Sequence, residues 1–485
     1  MKSFLYFSLI ICSAVLMVHP SCKKLSITTD PDDMLEFSVD TLKFDTVFTT
    51  RGTITRDFKV FNRSSSPIII SDIELAGGGN SQYRINVDAV LGSEHQEVRI
   101  EAKDSIYVFV EATIDPTMMD APFLIKDSII FVTNGNVQQT NLEAYGQDAN
   151  YVGTSGALSV LSCQGATTVW NDPKPYVVLG FLLVDSCDLI IEAGTDIHFQ
   201  GGTVTTQIDG ETVRLPSGVL FVTGNAHLEV NGALNNPVRF LTDRIEPEFR
   251  DIAGQWGGIF LDGGSTGNTF DFAEIRNANV GIRIDSAADL TITNSKLSDL
   301  TNTALLGIQS TITAINCLIY NVGKHNVQME NGGTYNFYNC TFTNEGSNHS
   351  DPIIRASNYF VYPQPDGTGF LVQNQADVYF ENCILYGSRS DEILLDDPEE
   401  VTEALNYRFE HCIIAADTFN IATPNFVNAI DADPLFADAT EFDYRIDTIT
   451  SPAIGAGRAP SVSVPNDLDG NARGNPIDIG AYEFQ

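Results

Sequence analysis

The sequence predicts an all-β chain: an N-terminal sandwich of short strands followed by a solenoid of stacked parallel β coils. Two observations carry the solenoid. A short ladder recurs as Asn294-Ser295-Lys296-Leu297, Asn316-Cys317-Leu318-Ile319, Asn339-Cys340-Thr341-Phe342 and Asn382-Cys383-Ile384-Leu385, with His411-Cys412-Ile413-Ile414 as a fifth rung. The step from Ser295 to Cys317 is 22 residues and from Cys317 to Cys340 is 23, a period that one turn of a β-solenoid fills. The third observation concerns residues 35–149, where strands alternate with turn clusters and no segment shows a helical face.

The first residues are set apart from the fold. Met1-Lys2 is basic, the stretch from Phe4 to Val18 is mostly apolar, and Ser21-Cys22 follows. The apolar run is too short for a membrane span and reads as an export signal over 1–21. Ser21-Cys22 resembles a bacterial lipobox. That resemblance implies cleavage before Cys22, lipidation of Cys22, and attachment to the membrane through that lipid alone. Lys23-Lys24 lacks the acidic residue of an inner-membrane retention signal, so the expectation is an outer-membrane lipoprotein, on the cell-surface or the periplasmic face. Residues 22–34 read as a polar tether.

Within residues 35–149 the candidate strands include Asp57–Phe61, Ile68–Ile70, Ile106–Val110 and Ser128–Val132. Many short strands over that length make an immunoglobulin-like sandwich the natural solution. Its phrases "FKVFNRSSSPIIISDIEL", "AKDSIYVFVEATIDPT" and "IIFVTNGNVQQTNLEAYGQD" resemble Ig-like modules of envelope and ciliary proteins, which implies a spacer or docking unit.

From residue 150 to 430, short strands are punctuated by Gly, Asn and Asp at corner-like intervals. Parallel stacking gives each coil a rise of about 4.8 Å. Leu297, Ile319 and Phe342 then form an inward apolar column, and Asn294, Asn316, Asn339 and Asn382 a corner ladder. The cysteines of the repeat share a slot with Ser295 and Ala273, as expected of small buried side chains. Cys163 and Cys187 lie 24 residues apart, about one coil, so a disulfide and two free thiols both fit. Trp170 and Trp256 sit in apolar strand contexts expected in the core.

The region resembles right-handed parallel β-helix proteins, the superfamily that includes pectate lyases. Residues 431–485 contain Asp433-Pro434-Leu435-Phe436, Ser451–Gly457, Asp467–Arg473 and Asp478–Glu483. They resemble the D-P-x-F, S-P-A-I-x-A-G, D-x-D-G-x-x-R and D-I-G-A-x-E closing segment of Bacteroidetes-type surface β-helix proteins. We expect this segment to cap the last coil, with Arg473 paired to Asp467, Asp469 or Asp478.

The chain carries a formal net charge of −36, from 27 Lys+Arg against 63 Asp+Glu. That field repels nucleic acid and anionic membranes. The β-helix resemblance raises action on acidic polysaccharide. The family's hydrolase signatures are absent, and Arg283 in Gly281–Ile284 is only a weak counterpart of R-I-K. A lyase needs a base and a carboxylate clamp. The best cluster lies in an insertion between Cys340 and Cys383: His349 as base, Asp351, and Arg355 as clamp. Tyr359, Tyr362, Lys324 and His325 are candidate ligand-binding residues nearby. The insertion's aromatics, with Phe360 and Phe370, suit either sugar stacking or packing on the solenoid, and packing is the reading preferred. No cofactor is required. Calcium is an option at Asp467, Asp469, Asn471 and Asp478, whose spacing imitates an EF-hand with Ala472 where its glycine belongs. Asp-Ser/Thr followed by an apolar residue places candidate O-glycosylation at Thr41, Thr46, Ser105, Ser128, Ser286 and Thr448; the same pattern is a turn entering a strand.

The sequence therefore predicts a non-catalytic β-helix that binds a polysaccharide or an envelope protein. A polysaccharide lyase is the alternative.

Overall fold

The structure is a computed structural model; it describes residues 26–485 apart from 118–121, 209–210, 348, 350, 364–368, 399 and 418–419. The export signal and Cys22 lie outside the described residues. Two compact units are present, one within residues 1–146 and one over 147–485.

The first unit is a β-sandwich of two five-stranded sheets. One sheet holds Leu35–Phe37, Arg56–Asn62, Ser105–Ala112, Tyr83–Val87 and Val90–Gly92 in that spatial order; the other holds Thr41–Phe48, Asn136–Gln147, Phe123–Thr133, Ile68–Leu75 and Glu94–Ile100. Period-two alternation decides the layers. Ile106, Val108 and Val110 point inward while Tyr107 and Phe109 stay exposed. Four of the strands are those legible in the sequence, each extended by a few residues.

The second unit is built on a coiled sheet of 23 strands paired in parallel, with three antiparallel two-stranded sheets beside it. Each coil contributes a strand to three faces. The first face runs through Val219–Val222, Gly258–Leu261, Ile282–Ile284 and Ile354–Ser357 to Ile393–Asp396. The second runs through His227–Asn231, Asn268–Asp271, Asp289–Thr293 and Ala376–Glu381 to Phe426–Val427. The third runs through Asp196–Phe199, Val238–Thr242, Ala273–Arg276, Lys296–Ser298 and Thr341–Thr343 to Ile413–Ile414.

The inward column expected on the third face is Phe240, Ile275, Leu297, Ile319, Phe342, Leu385 and Ile414, in continuous register and fully buried. On the second face Phe337, Phe380, Phe409 and Phe426 stack as near-parallel rings 4.4, 4.9 and 4.9 Å apart. Each such side chain removed from water contributes about 1.5–3 kcal/mol. Cys317, Cys340, Cys383 and Cys412 are buried free thiols in the small-residue slot, while Cys163 and Cys187 form a disulfide between the first two coils. Trp170 and Trp256 are core residues.

Corners are made by residues in the left-handed region. Asn294, Asn316, Asn339, Asn382 and His411 have φ of 49–56°, a conformation that Asn tolerates best among side-chain-bearing residues. Asn316 donates to Asn294 at 2.8 Å and Asn382 to Asn339 at 3.4 Å. A second corner ladder, Asn277, Asp299 and Asn321, also has positive φ, and Asn321 donates to Asp299 at 2.7 Å. Its step of 22 residues was readable in the sequence.

The closing segment, residues 431–485, lies lengthwise against the outside of the third face. Leu468, Tyr444, Ala481 and Tyr482 pack with Leu318, and Ile446, Ala453 and Ile479 with Ile384 and Ile413. Gly470, at φ +86°, lies so close to an earlier coil that a Cβ would stand 2.4 Å from Leu234 Cδ2. The physical reason is that the third face's outward residues Leu318, Ile384 and Ile413 are themselves apolar. Arg473 is buried and pairs with Glu483 at 3.2 Å, not with an Asp, while donating to Asn316 at 2.8 Å.

Candidate ligand-binding site

The outward residues of the first face form one row, from Leu183 through Phe221, Phe260, Arg283, Leu306, Gln328 and Arg355 to Leu394. Strand alternation points every member away from the core, and the first members, Leu183, Phe221 and Phe260, are partly buried in a small apolar cluster with Val204 and Leu215. Seven steps of about 4.8 Å make a track of about 34 Å. Arg283 sits over the Phe260 ring at 5.7 Å and pairs with Asp285 at 2.8 Å.

At the far end the row enters a polar chain. Thr303 donates to Gln328 at 3.0 Å, Gln328 to Glu330 at 2.6 Å, and Arg355 to Glu330 at 3.0 Å and Asp396 at 3.1 Å. The Tyr359 hydroxyl also donates to Asp396, at 3.1 Å, and burial together with that carboxylate pushes its phenol up. Arg355 is thus bridged between two carboxylates, which leaves its charge compensated rather than aimed at a substrate carboxylate.

The candidate base is placed differently from its partner. The His349 side chain is fully enclosed and meets Glu392, equally buried, at 3.3 Å. Glu392 also accepts from the backbone of Ile353 and Arg389 at 3.1 and 3.0 Å. This is a buried anchor for the insertion, not a base facing solvent. His325 is buried too, with Nδ1 2.6 Å from the Pro352 carbonyl, and burial holds its imidazole below the usual range. Asp351 is half-buried beside that carbonyl, and Lys324 is exposed. Arg355 and Tyr359 therefore come together, whereas His349 points elsewhere.

The insertion aromatics do not pack down as preferred from the sequence. Tyr359–Pro363 and Gly369–Gln373 form a hairpin on which Phe360, Tyr362 and Phe370 are 38, 48 and 59% exposed. Phe360 and Tyr362 meet edge to face at 4.7 Å. A hairpin has only one inward side, and this one alternates Tyr359 toward Asp396 with ring faces toward water.

The candidate calcium residues do not converge. Asp467 accepts from the backbone of Asp469, Asn471 and Glu483 at 2.7–3.1 Å. Asp478 accepts from Gly455 and Phe484, both at 2.7 Å. Among the described residues no three His, Cys, Asp or Glu side chains are disposed to hold a metal. At the proposed O-glycosylation positions, Ser105 and Ser128 follow aspartates that accept their own backbone N–H groups at 2.8 Å, the geometry of a turn entering a strand. Thr41, Thr46, Ser105, Ser128 and Thr448 are half-buried and Ser286 is exposed.

Among solved structures, the chain is similar to the catalytic domain of a GH87 α-1,3-glucanase in complex with nigerose, at 10% identity and a TM-score of 0.23 over 74% of this chain and 80% of that one. It is also similar to a PapD-like domain of human CEP192, at 10% identity and a TM-score of 0.18 over 27% of this chain and 99% of that domain. A third is the E. coli chaperone DraB, at 8% identity and a TM-score of 0.17, where 25% of this chain spans 56% of the chaperone. No curated protein sequence matches the chain. Residues 245–421 match the family model described as "Right handed beta helix region", which supports a place for this region in the β-helix superfamily.

Proposed function

We propose that the solenoid binds a glycan without cleaving it, along the outward row of its first face and against the aromatic hairpin. The observation that carries this reading is the exposure of Phe360, Tyr362 and Phe370 beside the end of that row. Flat apolar ring faces bordered by fixed polar groups suit the faces and hydroxyls of sugar rings. A β-helix is consistent with a carbohydrate-related protein. A lyase reading needs an accessible base and an unspent cation, whereas His349 is enclosed with Glu392 and Arg355 is bridged by Glu330 and Asp396. We further read the sandwich as an Ig-like spacer, and the chain as an outer-membrane lipoprotein held by Cys22.

The test uses purified uronate and neutral polysaccharides. Binding is followed calorimetrically and cleavage by the ultraviolet absorbance of unsaturated uronate ends. Binding without absorbance growth is expected, and Phe370→Ala with Tyr362→Ala should weaken it about tenfold, or about 1.4 kcal/mol. Absorbance growth that His349→Ala or Arg355→Ala abolishes would replace this reading with a lyase.

A further inference from the structure

The strand Val238–Thr242 is followed by a long loop, residues 243–257, where the next coil makes the same passage with residues 277–281. The long loop is pinned. Gln255 Nε2 donates to the carbonyls of Phe249 and Ile252 at 2.7 and 2.9 Å, and Asn277 Nδ2 to those of Arg250 and Ile252 at 2.8 and 3.0 Å. It forms a fixed lip beside the outward residues of Val238–Thr242 and Ala273–Arg276. Under the lip is a cavity of about 250 Å3.

Four arginines line this cavity: Arg239, Arg244, Arg250 and Arg276, with Glu274 as the one acid among the lining residues. The concentration is notable in a chain with 27 Lys+Arg against 63 Asp+Glu. Three of the four are held in place from the side. Arg239 pairs through Nε and Nη2 with Asp196, Arg244 through the same atoms with Glu246, and Arg276 with Asp299 and Asp251. Those carboxylates are not among the lining residues. The Nη1 group of each arginine has no partner among the described residues, and Arg250, which is exposed, forms no ion pair among them. Leu241 and Ile245 supply an apolar floor, and His198 is buried at the base with Nδ1 2.7 Å from the Thr242 carbonyl.

The guanidinium of Arg250 matches the planar fork geometry of a carboxylate, and the Nη1 donors left over on the three paired arginines match hydroxyl groups. The apolar floor matches a ring face, and Glu274 provides an acceptor for a ring hydroxyl. We propose that this cavity binds a carboxylate-bearing sugar, a uronate, with Arg250 on the carboxylate and the spare Nη1 donors on the ring hydroxyls. The site is separate from the first-face track and does not depend on the glycan reading given above.

The experiment is calorimetric titration of the full-length protein with galacturonate, glucuronate, galactose and acetate. Arg250 is exposed and unpaired, so Arg250→Gln and Arg250→Glu keep the fold, and circular dichroism confirms it. One of the two uronates should bind at least tenfold tighter than galactose and than acetate. Arg250→Gln should weaken it about fivefold, and Arg250→Glu further. Failure of both uronates to bind, galactose binding as well as the uronate, or indifference to Arg250→Glu would each overturn the proposal. Acetate binding as tightly as the uronate would overturn the sugar assignment.

Discussion

Arg458→Ala tests the electrostatics of the last coils. Glu381 and Glu410 occupy register-matched positions on adjacent coils of the second face, about 4.8 Å apart by strand spacing. Their side chains are 0 and 7% exposed. Arg458 bridges them, with Nε 3.1 Å from Glu381 and Nη1 on Glu410, and the Tyr379 hydroxyl donates to both. Two unit charges at that separation repel by about 3.5 kcal/mol at an effective dielectric of about 20. Arg458 is 44% exposed and Arg408 still pairs with Glu410. Screening and that residual pair reduce the expected loss to about 2 kcal/mol at neutral pH. The sign with pH follows from Glu410. Burial pushes its carboxyl up, but Tyr379, Arg408 and Arg458 outweigh burial and hold it below the usual range. Pairing therefore stabilises the fold at neutral pH, and that contribution disappears as pH falls through the lowered value. In the variant the Glu410 carboxyl takes up its proton more readily, so the penalty should shrink near pH 4. Both tryptophans, Trp170 and Trp256, lie in the solenoid, so fluorescence-detected urea unfolding reports that unit alone. Glu410→Gln in the Arg458→Ala background should recover most of the loss. A penalty that is equal at neutral pH and near pH 4, and that Glu410→Gln does not relieve, would refute the clamp.

Phe380→Ala removes a ring stacked on both sides and should cost about 3–5 kcal/mol. Phe426→Ala, at a ring 7% exposed where Phe380 is fully buried, should cost less in the same urea assay; equal costs would contradict that gradient along the column. His198 is buried and burial holds its imidazole below the usual range, so the unfolded chain takes up the proton first. Stability should fall as pH drops below about 6.5, by up to about 1.4 kcal/mol per pH unit, and His198→Gln should flatten that slope in unfolding measured between pH 7.5 and pH 5.5. The thiols of Cys317 and Cys383 are pushed up by burial. All four free cysteines should resist a thiol reagent until urea unfolds the solenoid; rapid native labelling would place them at the surface.

The repeating part of the fold was legible because its corners and columns impose local chemistry. Asn294, Asn316 and Asn339 announce a left-handed corner, and the Cys slot announces a small buried side chain, whichever coil is read. The closing segment was less legible. Leu468, Ile479 and Tyr482 signal burial, but an apolar residue does not say which surface it covers. The same limit applied to the insertion, where Phe360 and Phe370 could not be assigned to a packed or an exposed hairpin side without the Tyr359–Asp396 bond. His349 and Arg355 are close in sequence yet engage different carboxylates, Glu392 on one side and Glu330 and Asp396 on the other. Arg239, Arg244, Arg250 and Arg276 form no motif, because the coil register and the pinned loop bring them together.

The lengthwise course of residues 431–485 changes how such a stack comes apart. Coils that touch only their neighbours can peel away from either end one at a time. Here a single strap touches Leu234, Asn316, Thr341, Asn382 and Ile413, a reach of about 29 Å at one strand spacing per coil. Losing a terminal coil then also loosens contacts several coils away, so fraying is penalised before it spreads. The strap is synthesised after the coils it splints, so they can stack before it but are locked only once it arrives.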